Sequence, residues 1–236
     1  FNEQNIDAIC VNFRCCSGEL NKYYTSYHSG KTDDIEDLIQ HVISLDKYDS
    51  IYLKGISLGG NILLKYLGDG TVVPPQVKAA MAVSVPCDLS GSVKVLHALK
   101  NLPYHINFKW GLVNRLKLKQ KQFPEAITKA TIRRIRTLND FDEVYTSRAH
   151  GFKNAQDYYE KCSSLQFLNA IKIPVLILNA LNDSFLSEAC FPFEEAEKNP
   201  YLFLETPNRG GHVGFISRNG YYYNETRALE FFLESK

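Results

Sequence analysis

Neither sign of charge is in excess in this chain. Its 27 lysines and arginines stand against 26 aspartates and glutamates, a formal net charge of +1. Such a balance exerts no overall pull on nucleic acid, and no basic-aromatic reader motif is present to supply a local one. Long apolar runs are missing too, since none approaches the roughly eighteen residues that a membrane-spanning helix needs. There is no C-x-x-C among the six cysteines and no histidine pair at zinc spacing, so no structural metal is indicated. Cys15 and Cys16 are adjacent, which is poor geometry for an ordinary disulfide. Together with Cys10, Cys87, Cys162 and Cys190, they are expected to be reduced thiols of a cytoplasmic protein, mostly in or beside core elements. Nothing in the pattern asks for a cofactor. Internal repeats, low-complexity segments and a signal peptide are also lacking. The first residue is Phe1 rather than methionine, which leaves a targeting segment or membrane anchor upstream an open matter.

The chain does have the makings of one good-sized core: 236 residues, 44% apolar and 22% charged. Five near-continuous apolar runs, at 7–13, 51–55, 79–85, 174–180 and 201–205, predict strands buried on both faces. Pro174 opens its run, where a missing amide is tolerated. Helical patterns fall between many of them, at 32–45, 60–67 and 187–197, and 222–233 closes the chain. In the first, Thr32 is placed to cap, with Ile35, Leu38, Ile39 and Val42 as the apolar stripe. Asp69-Gly70 and Pro74-Pro75 mark a turn. Strand alternating with helix at this spacing predicts an α/β fold with a mostly parallel, doubly wound sheet.

The alternation stops between residues 88 and 169. That stretch is polar and helical in pattern, and is expected to be a lid inserted into a single domain spanning 1–236. Its residues 94–136 hold eleven lysines and arginines but one acid, Glu125. The excess is compatible with a solvated helical face, and also with attraction of an anionic substrate or a peripheral lipid contact.

The chemistry is concentrated in Gly55-Ile56-Ser57-Leu58-Gly59. A strand precedes it and a helix follows, which is the setting of a nucleophile elbow. A serine on such a turn stands at the carboxyl edge of a parallel sheet. The amide of Leu58, at the helix start, is aimed where an oxyanion would form. The serine needs a base held by a carboxylate. Asp183 follows the 174–180 strand, and His212 sits in the glycine-rich loop after the 201–205 strand, so both are expected on the edge that carries Ser57. Of the other histidines, His28 and His150 are in loop-like segments, His41 is on an apolar-patterned helix, and His97 and His105 are in the insertion.

At these residues the chain resembles the YheT-like branch of the α/β-hydrolases. The resemblance runs from Val11 nearly to the C-terminus. It is carried by Asn12-Phe13-Arg14-Cys15-Cys16-Ser17-Gly18-Glu19, Tyr27-His28-Ser29-Gly30, the Ser57 elbow through Asn61 and Val85-Pro86-Cys87-Asp88-Leu89. Further matches are Phe141-Asp142-Glu143, Tyr145-Thr146, His150-Gly151-Phe152, Asp157-Tyr158-Tyr159, Asn182-Asp183 and Gly211-His212-Val213-Gly214-Phe215. It implies Ser57 as nucleophile, Asp183 as acid and His212 as base of an enzyme that cleaves carboxylic esters, with phospholipase or monoacylglycerol lipase activity as the nearer alternative. A non-catalytic lipid- or protein-binding scaffold is the more distant one, and thioester or amide cleavage in the same fold is a further possibility. Two departures stand out. Cys15 replaces a glycine usual in the family, at a cost of about 1–2 kcal/mol if the backbone there is left-handed. The family also has upstream strands and a loop that gives a second oxyanion amide; this chain begins after them, so an incomplete N-terminal side of the sheet is expected.

Overall fold

The computed structural model describes residues 1–217 and 220–235. The chain forms two compact units. One comprises residues 29–95 and 159–236 and carries the sheet. The other comprises residues 1–28 and 96–158 and is helical.

In the sheet unit four parallel strands, β1 (Ile51–Ile56), β2 (Val77–Val83), β3 (Val175–Leu178) and β4 (Leu202–Glu205), lie in the order β1-β2-β3-β4. The register aligns their carboxyl ends: Ile56 pairs with Val83, Val83 with Leu178, and Leu178 with Glu205. Whatever follows these four residues therefore starts along one sheet edge. Successive side chains of a strand point to opposite faces, and in the two central strands, β2 and β3, both faces are buried. Ala80, Ala82, Val175 and Ile177 pack with Ile39 of α1 (Asp33–Ser44) and with Leu63, Leu64 and Leu67 of α2 (Leu58–Gly68). Ala79, Met81, Val83, Leu176 and Leu178 pack with Ala228, Phe231 and Phe232 of the C-terminal helix Tyr223–Glu234. That two-sided burial is why the strands are continuous in apolar character rather than alternating.

Three expectations need correction. Residues 7–13 form no strand: the segment is irregular, with Ile9 and Val11 exposed, and it falls in the helical unit. An apolar run signals burial, but a strand also needs a neighbour to complete its ladder, and β1 has no second ladder partner among the described strands. Thr32 does occupy the N-cap of α1, yet its side chain makes no capping bond. The helix expected over 187–197 is divided: a 3₁₀ turn, Glu188–Cys190, and a short helix, Phe193–Lys198, meet at Pro192, which lacks an amide to continue a helical ladder.

Between β2 and β3 the described elements are all helical, as the sequence implies. They are α3 (Leu89–Leu96), a 3₁₀ turn over Leu99–Asn101, α4 (Leu102–Gln120), α5 (Lys129–Arg133), α6 (Leu138–Phe141), a π turn over Asp142–Thr146, α7 (Ser147–Ala149), α8 (Ala155–Cys162) and a 3₁₀ stretch over Ser164–Ala170. The helical unit has its own core of Leu116, Ile127, Ile135, Phe141, Val144 and Tyr145. Residues 21–26 are fastened to it by polar anchors. The buried Lys119 ammonium donates to Asn21 Oδ1 (2.6 Å) and to the carbonyls of Tyr23 and Thr25. The Tyr145 hydroxyl donates to the Tyr24 carbonyl (2.7 Å) and meets Ser26 Oγ at 2.8 Å. No described helix is long and apolar enough to cross a membrane.

Candidate active site

Ser57 stands between the last residue of β1 and the first of α2, at φ 53°, ψ −121°. For a side-chain-bearing residue this is a strained conformation, costing about 1–3 kcal/mol. Three backbone bonds hold it there. The Ser57 amide donates to Val83 O of the neighbouring strand (2.7 Å), while Gly60 N and Asn61 N donate to Ser57 O. Strand and helix can meet this closely only because two positions lack a side chain. A Cβ at Gly55 would stand 2.5 Å from the carbonyl oxygen of Gly59, and one at Gly60 would stand 2.5 Å from Val85 Cγ2. Asn61, fully buried, braces the first turn of α2. Its Nδ2 donates to the carbonyls of Ser29 and Cys162, and its Oδ1 accepts from Ser164 N.

Asp183 lies five residues beyond the end of β3, with a side chain fully shielded from solvent. One carboxylate oxygen accepts from the Phe185 amide (2.9 Å); the other meets His212 Nδ1 at 2.8 Å. His212, in the loop after β4, presents Nε2 to Ser57 Oγ at 2.8 Å. A proton on Nδ1, fixed by the carboxylate, leaves Nε2 as acceptor toward the serine hydroxyl. The three residues singled out in the sequence thus form one hydrogen-bonded chain, although 126 positions separate Ser57 from Asp183 and 29 separate Asp183 from His212 along the polypeptide. Leu58, the first residue of α2, carries one of the first-turn amides that have no intrahelical acceptor.

Asn182 was legible only as part of a motif, and its work shows in the folded chain. Its Oδ1 accepts from Gly210 N (3.0 Å) and Gly211 N (2.9 Å), pinning the loop that presents His212. Gly210 fits closely there: a Cβ on it would meet the Phe215 ring at 2.6 Å. Phe185 lies against the imidazole with ring centroids 4.5 Å apart. A further buried asparagine, Asn179, ties the β3 turn to its neighbours by accepting from Val85 N and donating to Cys190 O.

The remaining histidines are elsewhere. His28 and His150 stack within the helical unit, centroids 4.4 Å apart, beside Phe152 and Tyr158. His97 and His105 form a second pair there at 4.5 Å, and His41 is exposed on α1. Among the described residues no group of three or more His, Cys, Asp or Glu side chains is arranged to hold a metal ion. None of the six cysteines is in a disulfide; Cys87, Cys162 and Cys190 are buried, whereas Cys15 and Cys16 are half-buried and Cys10 is exposed. Cys15 has φ 67°, the left-handed conformation for which glycine would be the unstrained choice.

No family model matches the chain. Among curated proteins it is 33% identical over 222 residues to YheT of Escherichia coli (strain K12), covering 89% of this chain and 62% of that protein. It is 30% identical over 210 residues to the phospholipase ABHD3 of Mus musculus, covering 89% of this chain and 51% of the relative. The chain therefore spans between half and two thirds of the length of these relatives. Among solved structures, an α/β fold family hydrolase from Bacillus anthracis str. Sterne superposes with a TM-score of 0.54 at 14% identity, covering 95% of this chain and 80% of that one. That likeness is one of fold. The parallel sheet and the strand-turn-helix elbow are those of an α/β-hydrolase fold, and by sequence this chain is related to the YheT-like esterases.

Proposed function

We propose that the chain is the catalytic part of a serine hydrolase that cleaves carboxylic esters through Ser57, His212 and Asp183. The reading rests above all on the two 2.8 Å hydrogen bonds that link Ser57 Oγ, His212 and Asp183. In the proposed reaction His212 Nε2 takes the Ser57 proton as Oγ attacks the ester carbonyl. The Leu58 amide donates to the oxyanion. Collapse of the tetrahedral intermediate breaks the ester C–O bond, and the imidazolium gives its proton to the departing alcohol. Water, deprotonated by His212, then attacks the acyl-Ser57 ester and releases the carboxylic acid. Asp183 stays ionised throughout and holds the imidazole tautomer. Similarity to a phospholipase favours lipid esters as a second reading within the same chemistry, with the 88–169 segment acting as the lid.

Fluorophosphonate labelling tests the proposal directly. In the full-length protein the parent should be labelled and Ser57→Ala should not, with ester turnover reduced by about 10³-fold or more. Asn182→Ala should keep the label but lower kcat by about tenfold, because it loosens the loop that positions His212 rather than the nucleophile. An acyl-chain series, run on simple esters and on phospholipids, separates the two substrate classes. Full turnover by Ser57→Ala would remove Ser57 as nucleophile, and absence of both labelling and turnover in the parent would favour a binding scaffold.

A further inference from the structure

Helix α4 (Leu102–Gln120) shows two contrasting faces. At about 100° per residue, His105, Leu116 and Lys119 fall on one side, and all three are buried. Leu102, Ile106 and Trp110, four residues apart, fall together on the other side, and are 41%, 51% and 66% exposed. Leu99, in the turn that leads into the helix, is 88% exposed. A helix facing water ordinarily puts polar side chains on its outer face, and isolated exposed apolar residues need no explanation, whereas a contiguous strip does. This strip includes the only tryptophan of the chain.

The strip continues into positive charge. Lys117 and Lys121 are seven and eleven residues beyond Trp110, so they lie on the same arc, and both are exposed. There is no acidic residue anywhere in α4. The basic excess of residues 94–136 is not all available: Lys119 is buried, Lys109 Nζ donates to the Arg136 carbonyl, and Arg115 donates to Cys16 Sγ and Tyr27. What remains exposed includes Lys100, Lys117, Lys121, Lys129, Arg133 and Arg134. Apolar side chains with a tryptophan along one helix face, followed by lysines and no acid, match the chemistry of a lipid headgroup boundary. Acyl chains receive the apolar strip and anionic headgroups receive the ammonium groups, each worth about 1 kcal/mol near such a surface. A second copy of the same face would bring lysine to lysine with no carboxylate on α4 to answer it.

We propose that the Leu102–Ile106–Trp110 face of α4, with Lys117 and Lys121, docks onto an anionic phospholipid bilayer. The proposal does not depend on the chemistry at Ser57. Because Trp110 is the sole tryptophan, its emission reports on this face alone. Phosphatidylcholine vesicles containing phosphatidylserine should shift Trp110 emission to the blue, and brominated acyl chains should quench it. Pure phosphatidylcholine should act weakly, and salt should reverse the difference. Leu102→Asp with Ile106→Asp keeps the reporter and should weaken vesicle partition by about tenfold or more, a loss of about 1.4 kcal/mol. Lys117→Glu with Lys121→Glu should remove the preference for phosphatidylserine. Circular dichroism checks that the exposed substitutions leave the fold intact; Leu102→Ser with Ile106→Ser serves if the aspartates do not. Ser57→Ala should bind vesicles as the parent does, so failure here and failure of the hydrolase reading are separable. An unshifted, unquenched Trp110 at saturating phosphatidylserine vesicles would overturn the proposal. So would a blue shift that grows with protein concentration in the absence of vesicles, which would identify a second copy as the occupant.

Discussion

The two units of this chain solve the problem of buried polarity in different ways. In the sheet unit, apart from the Asp183 carboxylate held by His212 and the Phe185 amide, the buried side chains that tie loops to the sheet edge are neutral amides, Asn61 and Asn179, each bonding backbone groups on separate segments. In the helical unit the corresponding anchor is an ammonium, Lys119, buried among one amide and two carbonyl oxygens with no carboxylate in the cluster. Asparagine both donates and accepts, so it can tie loops at a sheet edge where amides and carbonyls alternate. Lysine only donates, and it suits a loop whose carbonyls turn inward toward a helix. The first unit is held by its strand ladder and the amides adjust it. The second depends on single side chains for its closure.

A pair of glycine substitutions should break the comparison most sharply. Gly55→Val places a Cβ 2.5 Å from backbone at the β1–α2 elbow, where neither partner can yield. It should cost more than about 3 kcal/mol and abolish the cooperative unfolding of the sheet unit. Gly111→Ala, within α4, meets nothing within 4 Å, and should instead stabilise the helical unit by about 0.5–1 kcal/mol. Urea titration read by far-UV circular dichroism and by Trp110 fluorescence distinguishes them; equal effects would mean that the elbow is no tighter than a solvated helix.

Next in size is Lys119→Met. It keeps much of the aliphatic stem but leaves Asn21 Oδ1 and two carbonyls without their donor, and should destabilise the helical unit by about 2–4 kcal/mol. The Trp110-detected midpoint should fall while labelling of Ser57 in the folded protein persists. An unchanged midpoint would show that the ammonium contributes nothing net.

The smallest effect expected is on acidification. Burial lowers the affinity of His97 and His105 for protons. Asp140 works against the shift at His97, while His97 and Lys109 reinforce it at His105. The unfolded chain therefore binds more protons than the folded one below the ordinary imidazole value of 6.5. Stability of the helical unit should be full above that pH and decline as pH falls through the lowered folded-state values. A thermal midpoint a few degrees lower at pH 5 than at pH 7.5, reduced when both histidines are replaced by glutamine, would show it.

How legible each unit was follows from the same contrast. Ser57, Asp183 and His212 could be placed along one sheet edge from the sequence because parallel strands send their carboxyl ends to that edge, and position after a strand then fixes location. Asn182 could not be recognised as the clamp on the His212 loop, since its partners Gly210 and Gly211 are distant in sequence and bond through backbone amides common to every residue. The 7–13 segment misled because apolar character reports burial tendency and carries no information on a ladder partner. Lys119 misled in the opposite sense: counted with an exposed basic face, it is buried.

Sequence alone determined the α/β class, the mostly parallel sheet and the helical character of the 88–169 stretch, and it singled out the serine, aspartate and histidine that the fold joins in one hydrogen-bonded chain. These follow from periodicity and from motif position relative to strands, which are local properties. Only the tertiary structure decided which apolar runs became strands, which lysine was buried, and which helix face stayed uncovered. Those outcomes depend on the neighbour that each segment meets, and a one-dimensional pattern does not encode that neighbour.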